Sequence, residues 1–150
     1  MNESMPQVPS VHRFRVGDEI QPLRKKTYQR LLDEVEFVPD SIHTDDYSVK
    51  LGYPGALVSA YVFTGYLSEM MLATFGLSWF ETGDYELAFV GKGVQQNDLL
   101  TFHARIGAIE PEGGGLRLRL EVWGEKDDGA KPIVGRASAV FREDMSVKER

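Results

Sequence analysis

The chain has 150 residues, no cysteine and a formal net charge of −6. That length suits one domain with a real core. Disulfides, thiolate zinc sites and cysteine nucleophiles are excluded. The acidic balance argues against nucleic acid or an anionic membrane surface as the main partner, although local basic residues can still meet a small anion.

The opening MNESMPQVPSVHRF is polar and has no apolar stretch of the kind that directs secretion, so a cytoplasmic protein is expected. We read residues 1–150 as a single domain, with frayed ends at about 1–10 and 145–150. A weak strand signal covers 13–22. In TYQRLLDEV (27–35), Tyr28, Leu31, Leu32 and Val35 share one helical face. Residues 45–50 suit a helical turn, with Thr44 as N-cap and Asp45 and Asp46 in the first turn, where the dipole favours acids. The uncharged run Leu51–Ser68 approaches membrane-span length, but it carries Pro54 and three glycines, and Glu69 closes it. It reads instead as a buried helix starting near Pro54 and ending at Gly76, apolar nearly all round and so covered on most sides.

After Gly83 the period becomes two. Strands are expected at 84–90, 99–109 (a looser alternation), 116–123 and 133–141. The Gly113-Gly114-Gly115 and Asp127-Asp128-Gly129 stretches are turn signals between them. A single apolar helix followed by antiparallel hairpins implies an α+β fold in which the sheet curls around the helix.

The chemistry concentrates in DSIHTDDYSVKLGYPG (40–55), where one histidine stands among three aspartates. A metal site is disfavoured, because His12 and His103 are far off in sequence; metal and cofactor are both expected to be absent. Asp45 and Asp46 read as helix-capping acids. His43 suits general acid/base work near neutral pH. With a helix starting at Pro54, Gly55 and Ala56 would offer backbone N–H groups at its positive end, fit to polarise a carbonyl. Tyr61, Phe63, Tyr66, Phe75, Trp79 and Phe80 read mostly as core, with an acyl tunnel as the alternative.

IHTDDYSVKLGYPG resembles the motif of the MaoC-like dehydratases and (R)-specific enoyl-CoA hydratases, D-x-N-P-x-H-x-D followed by a Gly/Pro turn into a central helix. LAFVGKGVQQNDLLTF, PIVGRASAVF and FRVGDEI are similar to further segments of that family, in the same order. The resemblance spans about residues 13–142 and implies a hot-dog fold, a curled antiparallel sheet wrapped around a long helix. It also implies an acyl-thioester hydratase or dehydratase working on 2-enoyl or 3-hydroxyacyl groups carried by CoA or a carrier protein, as a homodimer or dimer-based oligomer. The family histidine falls on His43. The family aspartate, five residues earlier, falls on Val38; its Asn and Pro fall on Asp40 and Ser41; its His-Gly pair on the helix falls on Ser59 and Ala60; a helix serine falls on Ser68. The resemblance therefore implies His43 and Asp40 as catalytic residues, with Gly55, Ala56, Ser59 and Ser68 at the substrate. Two alternatives stay open. One is a thioesterase using Asp40, Asp45 or Asp46. The other is a non-catalytic acyl-binding subunit, which the valine at 38 favours.

Overall fold

The computed structural model describes residues 13–28 and 40–145. After a loop and an isolated bridge between Glu19 and Arg105, β1 runs Leu23–Lys26. Helices α1 (Asp45–Lys50), α2 (Ala60–Phe75) and α3 (Ser78–Thr82) follow. Then come β2 (Asp84–Phe89), β3 (Leu99–Glu112), β4 (Gly115–Lys126), β5 (Ile133–Phe141) and a 3-10 turn at Glu143–Met145. The five strands form one antiparallel sheet in the order β1-β3-β4-β5-β2.

The sheet's inner face follows the period of two. Leu100, Phe102, Ala104 and Ile106 on β3 and Leu118, Leu120 and Val122 on β4 are buried. They meet the buried stripe of α2, which is Phe63, Leu67, Met70, Met71 and Phe75. A register shift between Ile106 and Ala108 puts a bulge in β3. It explains the loose alternation of that segment, since an extra residue reverses which side chains face inward. The β3–β4 hairpin closes on Gly113 and Gly114, both at positive φ, as a two-residue turn of that hand requires.

The long helix begins at Ala60, not near Pro54. Leu57 bridges to Gln95, and the Val58 N–H donates to the Val94 carbonyl at 2.8 Å, so residues 57–58 are extended and cannot be helical. Gly76 does end the helix. Among the described residues α2 is not covered on most sides either, because the five-stranded sheet wraps only one flank. Tyr61 is 85% exposed, and Gly65 and Ala73 also face outward. The weak N-terminal strand lies later than expected, at 23–26. Thr27, read as the start of a helix, is extended and buried, its hydroxyl donating to the Gln95 and Asp98 carbonyls. The rest of that expected helix, the position of Val38 and most of the two ends read as frayed lie outside the described residues. The short helix α3 was not anticipated. Its Ser78 hydroxyl donates to the Val140 carbonyl, and its Thr82 hydroxyl accepts the Val140 N–H, covering the part of β5 that β2 leaves unpaired. Among the described residues no helix is long and apolar enough to cross a membrane.

Candidate functional site

The site is built by residues 40–60, folded back on themselves. The Ser41 carbonyl accepts both the N–H and the hydroxyl of Thr44, and the Ser41 hydroxyl accepts the His43 N–H. Thr44 is thus the N-cap residue by position, but its side chain turns back to the preceding turn and does not cap α1. The Ile42 carbonyl accepts the Leu57 N–H at 2.8 Å and the hydroxyl of buried Ser48. The Asp45 carboxylate accepts the Ala56 N–H at 2.8 Å. These bonds tie α1, the Pro54-Gly55 bend and the approach to α2 into one unit.

His43 is clamped within that unit. Its Nδ1 lies 2.7 Å from the Leu57 carbonyl oxygen. A carbonyl can only accept, so Nδ1 carries the proton and neutral His43 keeps its lone pair on Nε2. The ring borders a cavity of about 380 Å³, mostly apolar, whose walls include Val58, Phe63, Phe89, Val94 and Pro132. The same cavity is lined by Ser59, Ala60 and Tyr61, the N-cap and first residues of α2. The N–H groups of Ala60 and Tyr61 have no acceptor within the helix, and the 16-residue dipole has its positive end there. No acidic side chain occupies that first turn to neutralise it. A base with a fixed tautomer, helix-start donors and an apolar hollow therefore meet in one place. That combination can polarise a carbonyl and move a proton on a neighbouring carbon.

The residues expected at the site divide. His43 and Ser59 line the cavity. Gly55 and Ala56 do not; they sit on the bend before the helix, and the Ala56 N–H is taken by Asp45. Asp40 is exposed on a turn at φ +59 and is not part of the cavity wall. Ser68 is also outside the wall, its hydroxyl 3.2 Å from the Trp79 indole N–H that it accepts. Of the aromatic residues read as core, Phe63, Phe75 and Trp79 are buried; Phe80 is largely exposed, and Phe63 and Tyr61 also line the cavity. Sequence reasoning missed Ala60 and Tyr61 as the first residues of the helix, although Ser59 just before an apolar run is the stronger helix-start signal, Pro54-Gly55 being a bend. It also missed the Leu57 carbonyl that orients His43, for which no side-chain pattern exists. Among the described residues, no cluster of three or more acidic and histidine side chains could hold a metal.

No family model and no curated protein matches the chain. Solved structures do. The MaoC-like dehydratase from Rhodospirillum rubrum superposes with a TM-score of 0.66 at 17% identity, over 89% of this chain and 97% of that one. The (R)-hydratase of A. caviae involved in PHA biosynthesis gives 0.62 at 16%, over 87% and 99%. The ChsH1–ChsH2 complex of Mycobacterium tuberculosis gives 0.64 at 17%, over 85% and 98%. With its curled five-stranded antiparallel sheet around α2, the protein has the hot-dog fold, in the form these MaoC-like dehydratase and (R)-hydratase structures share.

Proposed function

We propose that the protein is an acyl-thioester hydratase or dehydratase, interconverting 2-enoyl and 3-hydroxyacyl thioesters of CoA or a carrier protein. The observation that carries this is His43, held with Nε2 unprotonated beside a cavity that also contains the start of α2. In the hydration direction the thioester oxygen accepts hydrogen bonds from the Ala60 and Tyr61 N–H groups, which draws electron density from the β-carbon. His43 Nε2 takes a proton from water as its oxygen bonds to that carbon. The enolate so formed recovers a proton at the α-carbon from His43, and the histidine returns to its neutral form. One base thus closes the proton balance, as it must if Asp40 stays outside the cavity. The apolar walls accept the acyl chain, and no cofactor beyond the thiol carrier is needed.

We also propose that two subunits assemble through β2. Among the described residues this edge strand pairs with β5 alone; it carries exposed Tyr85 and Phe89, with exposed Val90 just after it, and the flank of α2 with Tyr61 is the apolar surface a partner would take up. Phe89 lines the cavity, so a partner there would adjoin the site. A second reading, a non-catalytic acyl-binding subunit paired with a different hot-dog chain, is favoured by Asp40 lying outside the cavity wall and Val38 standing at the family's aspartate position. The ChsH1–ChsH2 structure is likewise a complex of two named components. A thioesterase has less support, since the Asp45 carboxylate is engaged by Ala56.

The test is hydration of enoyl-CoA substrates of increasing chain length, followed by loss of enoyl absorbance. His43→Ala should lower turnover by about 10²-fold or more while leaving the fold intact, because this half-buried residue contributes little core. Full activity of that variant would overturn the assignment of the base. A wild type that hydrates nothing, yet melts at higher temperature with an acyl thioester, would favour the binding subunit.

A further inference from the structure

The convex face of the sheet generally pairs its arginines with carboxylates: Arg117 with Glu112, Arg119 with Glu110 and Arg136 with Glu86. Two cations break that rule. Arg105 on β3 and Lys131 before β5 are in no ion pair among the described residues, yet both turn to the same ring. The Arg105 guanidinium carbon lies 5.1 Å, and Lys131 Nζ 5.4 Å, from the centroid of the Trp123 indole. Cross-strand from Trp123, His103 stacks on that indole at 5.1 Å and 12°, with its Nδ1 3.4 Å from Glu19 Oε1. Trp123 is only 9% exposed, and its indole N–H is buried with no acceptor. Arg105, Trp123 and Lys131 line a hollow of about 200 Å³ whose one carboxylate is Glu121, cross-strand from Arg105.

We infer that this hollow binds a phosphate group, as a monoester or a diphosphate. Two cations over one aromatic floor repel each other, and a doubly charged oxyanion offsets both. The guanidinium supplies a planar fork and the ammonium a point charge. The indole floor excludes water from one side, which strengthens the attraction. Trp123 itself is covered by His103 and the cations, so the recognition is of charge, not of a stacked base.

The place of the hollow gives it a use. Lys131 precedes Pro132, which lines the His43 cavity, so the two hollows flank the start of β5. If the protein acts on acyl thioesters as proposed above, the phosphate is that of the thiol carrier, whose pantetheine arm separates its phosphate from its sulfur. This last step rests on that reading; the phosphate site does not. CoA offers this chemistry as a diphosphate and a phosphate monoester, whereas a carrier protein's prosthetic arm is joined through a singly charged phosphodiester.

The experiment titrates the protein with inorganic phosphate, pyrophosphate and adenosine 3′,5′-bisphosphate at constant ionic strength, by calorimetry and tryptophan fluorescence. Saturable binding is expected. Arg105→Gln and Lys131→Gln should each weaken it about tenfold, the scale of one lost charge-assisted contact, while His43→Ala binds as the wild type does. Circular dichroism checks that each single variant is folded. A CoA source predicts that Arg105→Gln raises KM for an enoyl-CoA at unchanged kcat, and leaves KM for the enoyl thioester of N-acetylcysteamine, which has no phosphate, where it was. If adenosine bisphosphate fails to compete with enoyl-CoA while pyrophosphate does, the site takes the diphosphate of CoA and not its ribose phosphate. If the wild type hydrates no thioester but binds phosphate through Arg105 and Lys131, the site stands and the activity reading falls. No saturable phosphate binding, or equal binding in both charge variants, overturns the site.

Discussion

Replacing Asp45 with alanine removes the acceptor that fastens the Pro54-Gly55 bend to the first turn of α1. The bond is charge-assisted, from the Ala56 N–H to Oδ1 at 2.8 Å. Buried, such a bond would contribute about 1.5–3 kcal/mol. Asp45 is exposed, however, and Ala56 only partly buried, so water competes and screening reduces the value to about 1 kcal/mol. Loss of a first-turn acid adds about 0.3–1 kcal/mol through the helix dipole. Asp45→Ala should therefore cost about 1.5 kcal/mol, read as a shift in urea midpoint at unchanged m-value. Asp45→Asn keeps an oxygen at the same place and should cost only about 0.5 kcal/mol, the part owed to charge. A double-mutant cycle sharpens the point. A Cβ on Gly55 would stand 3.2 Å from Asp45 Oδ1, so Gly55→Ala should be more costly in the wild type than in the Asp45→Ala background. If Asp45→Ala is as stable as the wild type, or if Asn is as damaging as Ala, the bend is not held by this carboxylate.

Three further outcomes follow from the geometry. Gly93→Ala puts a Cβ 2.7 Å from Leu57 Cδ2 at a φ of +70, so it should cost about 1–2 kcal/mol in thermal or urea melts. By displacing Leu57 it should also lower kcat, because the Leu57 carbonyl sets the ring of His43. Ser68→Ala deletes the acceptor of the Trp79 N–H and should cost about 1 kcal/mol in the same melts, with KM for an enoyl thioester unchanged. Asp40→Asn should leave kcat within about twofold, because a positioned acid/base contributes 10²-fold or more and Asp40 is not at the cavity.

Much of this architecture was legible because burial is periodic. LRLRLEVW alternates without interruption and lies within β4, and Gly76 stops α2 where the sequence places it. The start of α2 was not legible in the same way. Residues 54–59 are as apolar and uncharged as the helix proper, so hydrophobicity carries no boundary there. What excludes them from the helix is pairing with Val94 and Gln95, far along the chain. For the same reason the helix-start N–H groups belong to Ala60 and Tyr61, not to Gly55 and Ala56. His43 was recognisable as a chemical group in a capped loop, but its tautomer is set by a backbone carbonyl. The cavity walls Phe89 and Pro132 come from the end of β2 and the residue before β5, whose nearness to His43 only the tertiary fold creates. Asp40 looked able to replace the aspartate missing at position 38, because extended residues two apart share a face. In the structure Asp40 is an exposed, left-handed turn residue at φ +59, outside the cavity wall.

The bulge in β3 has a consequence for how the molecule tolerates changes in length. Ile106 pairs with Leu120 and Ala108 with Arg119, so Gly107 is the residue without an opposite number. Excising Gly107 would shift no downstream pair; it would convert an irregular ladder into a continuous one. What it would remove is curvature, since a bulge is where a strand bends and adds twist. Insertion or loss of a residue elsewhere in β3 scrambles facing side chains, whereas at this one position it alters only how tightly the sheet arcs over α2. Length variation at Gly107 is therefore a dial on the width of the space between sheet and helix, and through it on the size of what that space can hold.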